Sequence, residues 1–522
     1  MTGPLKTLSG RERPCFGSWH KHCADGPAAS KPDLICLFFL YLVMHGGILL
    51  LPHAVYWDDW VLYGASKDAI LETFEQAGAM FNWAGHLHVS LLGAGVWTYK
   101  VLTFALMFLS GVLLHSILTR TGLLSRSSTF FATLLFLVLP FNLARIAAVD
   151  FPYTLCYFLF FAGWYLIDRN RLLSLALFFL SFNTNSLLVF YALPALDALY
   201  RHGLLARRDN IPRYALRNLD FLVLPFVYYV IKTNFFSPYG MYEGYNQSIS
   251  LLFVPPAVAA QWADLTNFAV NPFLVLIFAL LAFAILAIRA SCDLDGERYT
   301  FSYSARTASV GLLALTLGAL PYWVLGLVPT FVEWTSRHQL LLPLGGALLI
   351  TAALDLMKNR SRPLGYAVAL GCCMAYGTET YYRFAIDWTK QTMLMKQLAL
   401  EKEVETASLI IVNDETENDN ALGRNFRFYE WNGMLAETFG DQRRFVVRPE
   451  ELDSYLKGAR DKFFSERYKA ADHRRGPSSA VVRVHITRAA TTAPEWREVQ
   501  SRYELTVSNW DAGRMGAPIS SK

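Results

Sequence analysis

The chain has 522 residues, of which 54% are hydrophobic and only 17% charged, with aromatic residues alone making up 15%. Soluble globular chains carry about a quarter charged residues, so a soluble single-domain enzyme, a disordered protein and a disulfide scaffold are all poor fits. The net charge of +5 provides no basic stripe of the kind nucleic acid needs, and the composition points to a mainly α, polytopic membrane protein with soluble mass attached. The seven cysteines match no zinc spacing and imply no disulfide framework.

Residues 1–33 form a basic tail (Lys6, Arg11, Arg13, Lys21, Lys31) expected in the cytoplasm. The apolar run at 34–55 is too long for a signal-peptide core and reads as an uncleaved anchor. Further apolar runs fall at 101–118, 129–144, 152–167, 172–182, 186–200, 218–234, 268–288, 307–329, 339–357 and 363–384. Each is expected to be a helix, because backbone amides in lipid must be satisfied internally. The total is about eleven spans, or ten if the short pair around Asn183-Thr184-Asn185 is one broken helix. With a cytoplasmic N-terminus, the inner segments hold 20 Lys and Arg against five outside (Lys67, Lys100, Arg145, Lys232, Arg337), which is a positive-inside bias. Residues 34–384 are thus expected to form a transmembrane helical bundle with an outward loop at 56–100.

The composition changes after Phe384. Residues 385–522 carry 21 basic and 21 acidic side chains. A helical stretch at 388–405 precedes expected strands at 408–412, 445–447, 480–486 and 503–507. A helix is expected at 428–439 and another starting at Pro449. This reads as a small α/β domain outside the cytoplasm, with a flexible end from about Ala512.

Chemistry is most legible in the first outward loop, which opens Tyr56-Trp57-Asp58-Asp59-Trp60. Adjacent carboxylates can serve as a general base, and Trp57 and Trp60 suit a sugar face or the membrane interface. The alternative is an aromatic belt beside a solvated helix cap. His86 and His88 can join Asp58 or Asp59 on a divalent metal, or simply hydrogen-bond locally; no cofactor is otherwise implied. In the second outward loop, Arg145 and Asp150 form an ion pair or, alternatively, serve a phosphate and an acceptor. Lys232, Arg337 and the adjacent His338 are candidate phosphate or substrate partners, against plain snorkelling for the two cations. Asp293-Leu294-Asp295 has the form of a nucleotide-sugar motif but lies in a loop too short to hold a nucleotide domain. P-loop, G-x-G-x-x-G, G-x-S-x-G and H-E-x-x-H signatures are absent.

The layout resembles the GT-C superfamily of membrane glycosyltransferases, such as protein O-mannosyltransferases and lipid A aminoarabinose transferases. The resemblance rests on the basic tail, one span, the Asp58-Asp59 loop, Asp150 in a short second loop, and Ser336-Arg337-His338-Gln339 before a late span. It implies an inverting transfer of a sugar from a polyprenyl-phosphate donor to a cell-envelope glycan, lipid or protein, in the cytoplasmic membrane with the site facing outward. Asp58 or Asp59 would be the base, Asp150 would help hold the acceptor, and Arg145, Lys232 and Arg337 would serve the lipid phosphate. A non-catalytic exporter or flippase and a polysaccharide polymerase are the alternatives.

Overall fold

The computed structural model describes residues 31–201, 211–244, 249–266, 268–290, 301–358, 361–456, 481–489 and 503–509. The basic tail, the Asp293-Leu294-Asp295 motif and the expected flexible end lie outside the described residues, apart from Lys31 and the two residues after it.

The chain is mainly helical, as expected, but the helices correct the expectation of about eleven spans. The run at 34–55 divides at Gly46-Gly47 into α1 (Lys31–His45) and the single turn α2 (Gly47–Leu50). The first loop contains α3 (Asp59–Leu62), α4 (Lys67–Gln76) and α5 (Trp83–Ala94). The run at 101–118 lies within α6 (Trp97–Thr121). Then follow α7 (Arg126–Val138), α8 (Phe151–Leu166), α9 (Arg171–Ser181), α10 (Ser186–Phe190) and α11 (Ala192–Arg201). The next are α12 (Ile211–Arg217), α13 (Leu219–Phe235), α14 (Val254–Thr266), α15 (Pro272–Ala290), α16 (Phe301–Trp323), α17 (Leu342–Asp355) and α18 (Arg362–Leu398).

Among the described residues, α6 is the one helix both long and apolar enough to cross a membrane. For α7, α8, α9 and α17 the physical reason is length, and for α16 and α18 it is polarity. Helices of 11 to 16 residues, as in α7, α8, α9 and α17, cover about 16–24 Å at ~1.5 Å per residue, short of a hydrocarbon core of ~30 Å. The α16 and α18 helices are long but diluted, α16 by Ser302, Ser304 and Arg306, and α18 by Glu379, Arg383 and Asp387. An apolar run can outlast the helix it contains, and several of these runs end in irregular loops.

The arginines behind the inner-side bias cap one end of the bundle in ion pairs. Arg120 meets Asp168 at 3.2 Å, Arg201 meets Asp168 at 2.5 Å and Asp197 at 3.1 Å, and Arg171 pairs with Asp220. Helix α7 is buried on every side from Ser128 to Val138 and forms the axis of the bundle. Close approaches depend on glycine. A Cβ on Gly345 of α17 would lie 2.4 Å from the backbone nitrogen of Leu315 in α16.

The expected change at 384 falls inside α18, which is one unbroken helix of 37 residues. Beyond it come α19 (Lys402–Thr406), β1 (Leu409–Asp414), α20 (Phe428–Phe439), β2 (Phe445–Val447), α21 (Pro449–Leu456), β3 (Val481–Arg488) and β4 (Tyr503–Asn509). The sheet order is β2-β1-β3-β4, with β1 parallel to both neighbours and β3–β4 antiparallel. The short apolar runs bounded by polar residues thus fold as the strands they suggest. Trp60 and Val96 of the first loop, with Val55 just before it, share one buried cluster with Leu394, Trp431 and Val484, so the sheet domain packs directly on that loop.

Gly345→Ala is expected to destabilise the protein by about 1–3 kcal/mol, because the contact opposite is backbone and cannot rotate away. A thermal unfolding scan in detergent checks it; an unchanged Tm would mean that α16 and α17 separate freely.

Candidate functional site

The end of the bundle opposite the ion-paired cap is built from three irregular segments that each follow or precede a helix. These are residues 54–63, residues 142–150, and the 3-10 stretch Glu333–Gln339. The first two are tied together by Asp59. Its buried carboxylate accepts the backbone N–H groups of Ala148 at 2.9 Å, Val149 at 2.8 Å and Tyr56 at 3.3 Å. Lys100, buried at the start of α6, donates to the Ile146 carbonyl beside them and lies 5.3 Å from the Tyr56 ring centre. Burial pushes Asp59 up to about 6, against the opposing pull of Lys100 and the three amides. Asp59 therefore spends its acceptor capacity on the backbone.

Asp58 differs. It is half-buried and lies within electrostatic reach of the Tyr429 phenol of α20. Trp57 adopts a left-handed backbone (φ 52°), which is rare for a bulky residue and costs about 1–3 kcal/mol. Its ring meets Trp334 edge-on with centroids 4.3 Å apart, and the Arg424 guanidinium stands 5.2 Å from it on another side. Asn142 (φ 54°) and Leu422 (φ 58°) are also left-handed. Asn142 donates its backbone N–H to Gln339 Oε1 at 3.1 Å, which fixes the second loop to the third segment.

Five buried polar atoms on these segments have no hydrogen-bond partner: Trp57 Nε1, Asn142 Oδ1, both carboxylate oxygens of Asp150, and His338 Nδ1. Native interiors leave few such atoms, and each calls for an explanation. Asp150 is the most exceptional. Burial pushes it up to about 8, with Arg337 pulling down and the charges of Asp59 and Asp58 pushing up. Arg337 lies half-buried, 5.2 Å from the Trp334 ring, with Nε 3.3 Å from His338 Nε2. His338 is held down to about 3 by burial and by Arg337. Asp150 thus lies within electrostatic reach of Arg337, Asp58 and Asp59. Such a group can take a proton from a hydroxyl and offset a nearby developing anion.

The other expected site residues lie elsewhere. Arg145 does not pair with Asp150. It turns into the bundle, with Nη2 2.7 and 2.8 Å from the two ring nitrogens of His45. Trp60 is buried in the seam with the sheet domain, donating to Gln391 Oε1 at 2.8 Å. Lys232 donates to the Gly78 carbonyl and braces the far part of the first loop. His86 and His88 sit on α5 rather than in a loop: His86 is exposed, while His88 is stacked between Phe74 and Tyr99. Among the described residues, no three His, Cys, Asp or Glu side chains stand together as a metal site. A cleft of about 460 Å³ opens beside α3, lined by His53, Tyr63, Lys67 and Gly93 among others and by no acidic residue.

Sequence reading missed Lys100, Trp334, Arg424 and Tyr429 as members of this group. Lys100 carried a usable signal, a lone cation at the head of an apolar run. Arg424 and Tyr429 carried none, since only the tertiary fold brings them within reach.

Stability should report the state of Asp150. Its folded value lies above the ordinary carboxyl value of about 3.9, so between these two values the folded state holds the extra proton and stability falls as pH rises. Asp150→Asn is therefore expected to match the wild-type Tm near pH 4 and to exceed it increasingly up to about pH 8, after which the gap is constant. A Tm gap independent of pH would show that Asp150 is ionised throughout.

No family model matches the chain, and no curated protein or solved structure matches it either.

Proposed function

We propose that the protein is a glycosyltransferase that moves a sugar from a polyprenyl-phosphate donor to a cell-envelope acceptor. The observation that carries this reading is the buried Asp150 carboxyl, which has no hydrogen-bond partner and lies within electrostatic reach of Asp58 and Arg337 at one end of the helical bundle. In this scheme an acceptor hydroxyl oxygen attacks the anomeric carbon from the face opposite the phosphate. The bond between that carbon and the phosphate oxygen breaks, and the electron pair leaves with the phosphate. Arg337 offsets the departing charge, and Asp58, the acid not consumed by backbone amides, takes the hydroxyl proton. Asp150 orients the acceptor, and a neutral carboxyl there can both donate and accept a hydrogen bond. Asp59 acts as a positioning residue through Ala148 and Val149. The half-buried Trp334 offers indole surface to a sugar ring.

A lipid-linked donor needs apolar surface for its tail. Helix α13 exposes Leu222, Val223, Phe226 and Val230, and α15 exposes Phe273, Leu276, Leu280 and Phe283. Apolar faces of this extent mark an interaction surface. In this reading they meet membrane lipid, with the site on the outer side of the cytoplasmic membrane.

Transfer from a panel of radiolabelled polyprenyl-phosphate sugars, by protein in nanodiscs, tests the proposal. Wild type is expected to consume at least one donor, and Asp58→Asn to lower kcat by about 10²–10⁴-fold, the usual worth of a general base. Asp59→Asn is expected to lose activity together with stability. Full activity in Asp58→Asn would remove the assigned base, and an inert wild type with every donor and envelope acceptor would favour an exporter.

A further inference from the structure

The cleft of about 460 Å³ in the first loop is lined from α3, α4 and α5, and its size lies within the ~300–1,000 Å³ of small-ligand sites. Hydrogen bonds fix its walls. Asn82, left-handed at φ 52°, donates from Nδ2 to the Leu71 carbonyl at 2.8 Å and pins α4 beside α5. The end of α4 is held by the Tyr239 backbone N–H, which donates to the Gln76 carbonyl at 2.9 Å. The half-buried Tyr63 contributes its ring to the lining, set edge-on to Trp60 with centroids 5.6 Å apart. The α5 backbone is bare at Gly93, where a Cβ would meet nothing within 4 Å. Lys67, the first residue of α4, and His53 are exposed members of the lining. Among the described residues, neither has a hydrogen-bonding or ion-pair partner. No acidic side chain belongs to the lining. Leu62, Tyr63, Leu92 and Val96 also line a smaller adjoining space whose wall includes Asp59 and Ala148. The cleft therefore adjoins the hydrogen bond that ties the two site loops together.

We propose that this cleft takes the acceptor and that the acceptor is an acidic saccharide, with a sugar ring over Tyr63 and the bare Gly93 backbone and a carboxylate on Lys67. Its role as the acceptor site rests on the reading of sugar transfer; its occupancy is read by binding, so the two can fail separately. Three features select this chemistry. A free ammonium in a lining without carboxylates attracts an anion. A half-buried phenol offers both an apolar ring face and a hydroxyl, which suits the C–H face and the hydroxyls of a sugar. Glycine lets a ring approach the backbone closely, where a Cβ would hold it off. A bare phosphate would use the ammonium and leave the ring and the glycine without a role.

Calorimetric titration of the full chain in phosphatidylcholine nanodiscs tests this, with a panel of uronic-acid di- and trisaccharides, their neutral methyl esters and inorganic phosphate as probes. Wild type is expected to bind an acidic saccharide, and to bind its methyl ester and phosphate about tenfold more weakly or less, the worth of a hydrogen bond between charged groups. Lys67→Glu is expected to weaken binding to the same degree at an unchanged Tm, because an acid in the first turn of a helix suits its dipole. Gly93→Trp is expected to fill the cleft and abolish binding, also without loss of Tm, since the space there is open. Equal affinity for acid and ester, equal affinity for phosphate, undiminished binding by a folded Gly93→Trp variant, or binding of no acidic saccharide overturns the proposal. Binding that phosphatidylglycerol in the nanodisc abolishes overturns it too, by giving the cleft to a lipid headgroup. A wild type that binds acidic saccharide but transfers sugar from no donor removes the transferase reading and leaves the binding site standing.

Discussion

The Asp59 carboxylate bridges two loops separated by about 90 residues, and the rest of the candidate site hangs on that bridge. Three backbone N–H groups converge on it from residues 56, 148 and 149. Hydrogen bonds from N–H groups to an ionised acceptor are worth roughly twice neutral ones. Here they must offset the cost of burying a carboxylate, with Lys100 supplying the opposite charge. The bridge ties the segment that carries Asp150 to the segment that carries Asp58 and the left-handed Trp57. Loss of the Asp59 acceptor would release both loops at once.

Around this bridge, electrostatic roles divide by environment rather than by residue type. Asp59, Asp58 and Asp150 are all aspartates within one small region. One is saturated by amides, one is half-buried, and one is buried with no partner, which pushes its carboxyl up to about 8. Unequal environments of this kind are how a site keeps an acid and a base ready at the same pH. The unpartnered atoms cost stability, a cost that sites of reaction commonly carry.

Much of the helix content was legible because apolar runs mark helices well. Their lengths were not, because a run continues in sequence through loops such as 139–144, where the helix has already stopped at Val138. Short apolar runs between polar stretches placed all four strands to within a residue or two. The boundary at 384 was misleading, since composition changes there while hydrogen bonding along α18 does not. Within the site, the paired acids and Asp150 were visible as charges close to apolar runs. Which acid does what was not, because the answer depends on amides 90 residues away. Arg145 illustrates the limit: its neighbour in sequence is Asp150, but its partner in space is His45.

The contacts that define this site join the two extremes of the described chain. Tyr56 donates to the Phe384 carbonyl at 2.8 Å, Trp60 reaches Gln391, and Gly433 packs against Trp60. Pairings across more than 300 residues are late and slow to form. During synthesis, which proceeds N-terminus first, the first loop must wait with its tryptophans uncovered until α18 and α20 have left the ribosome. A nascent chain therefore has no assembled site, and its indole-rich loop is the surface on which a holding chaperone would act.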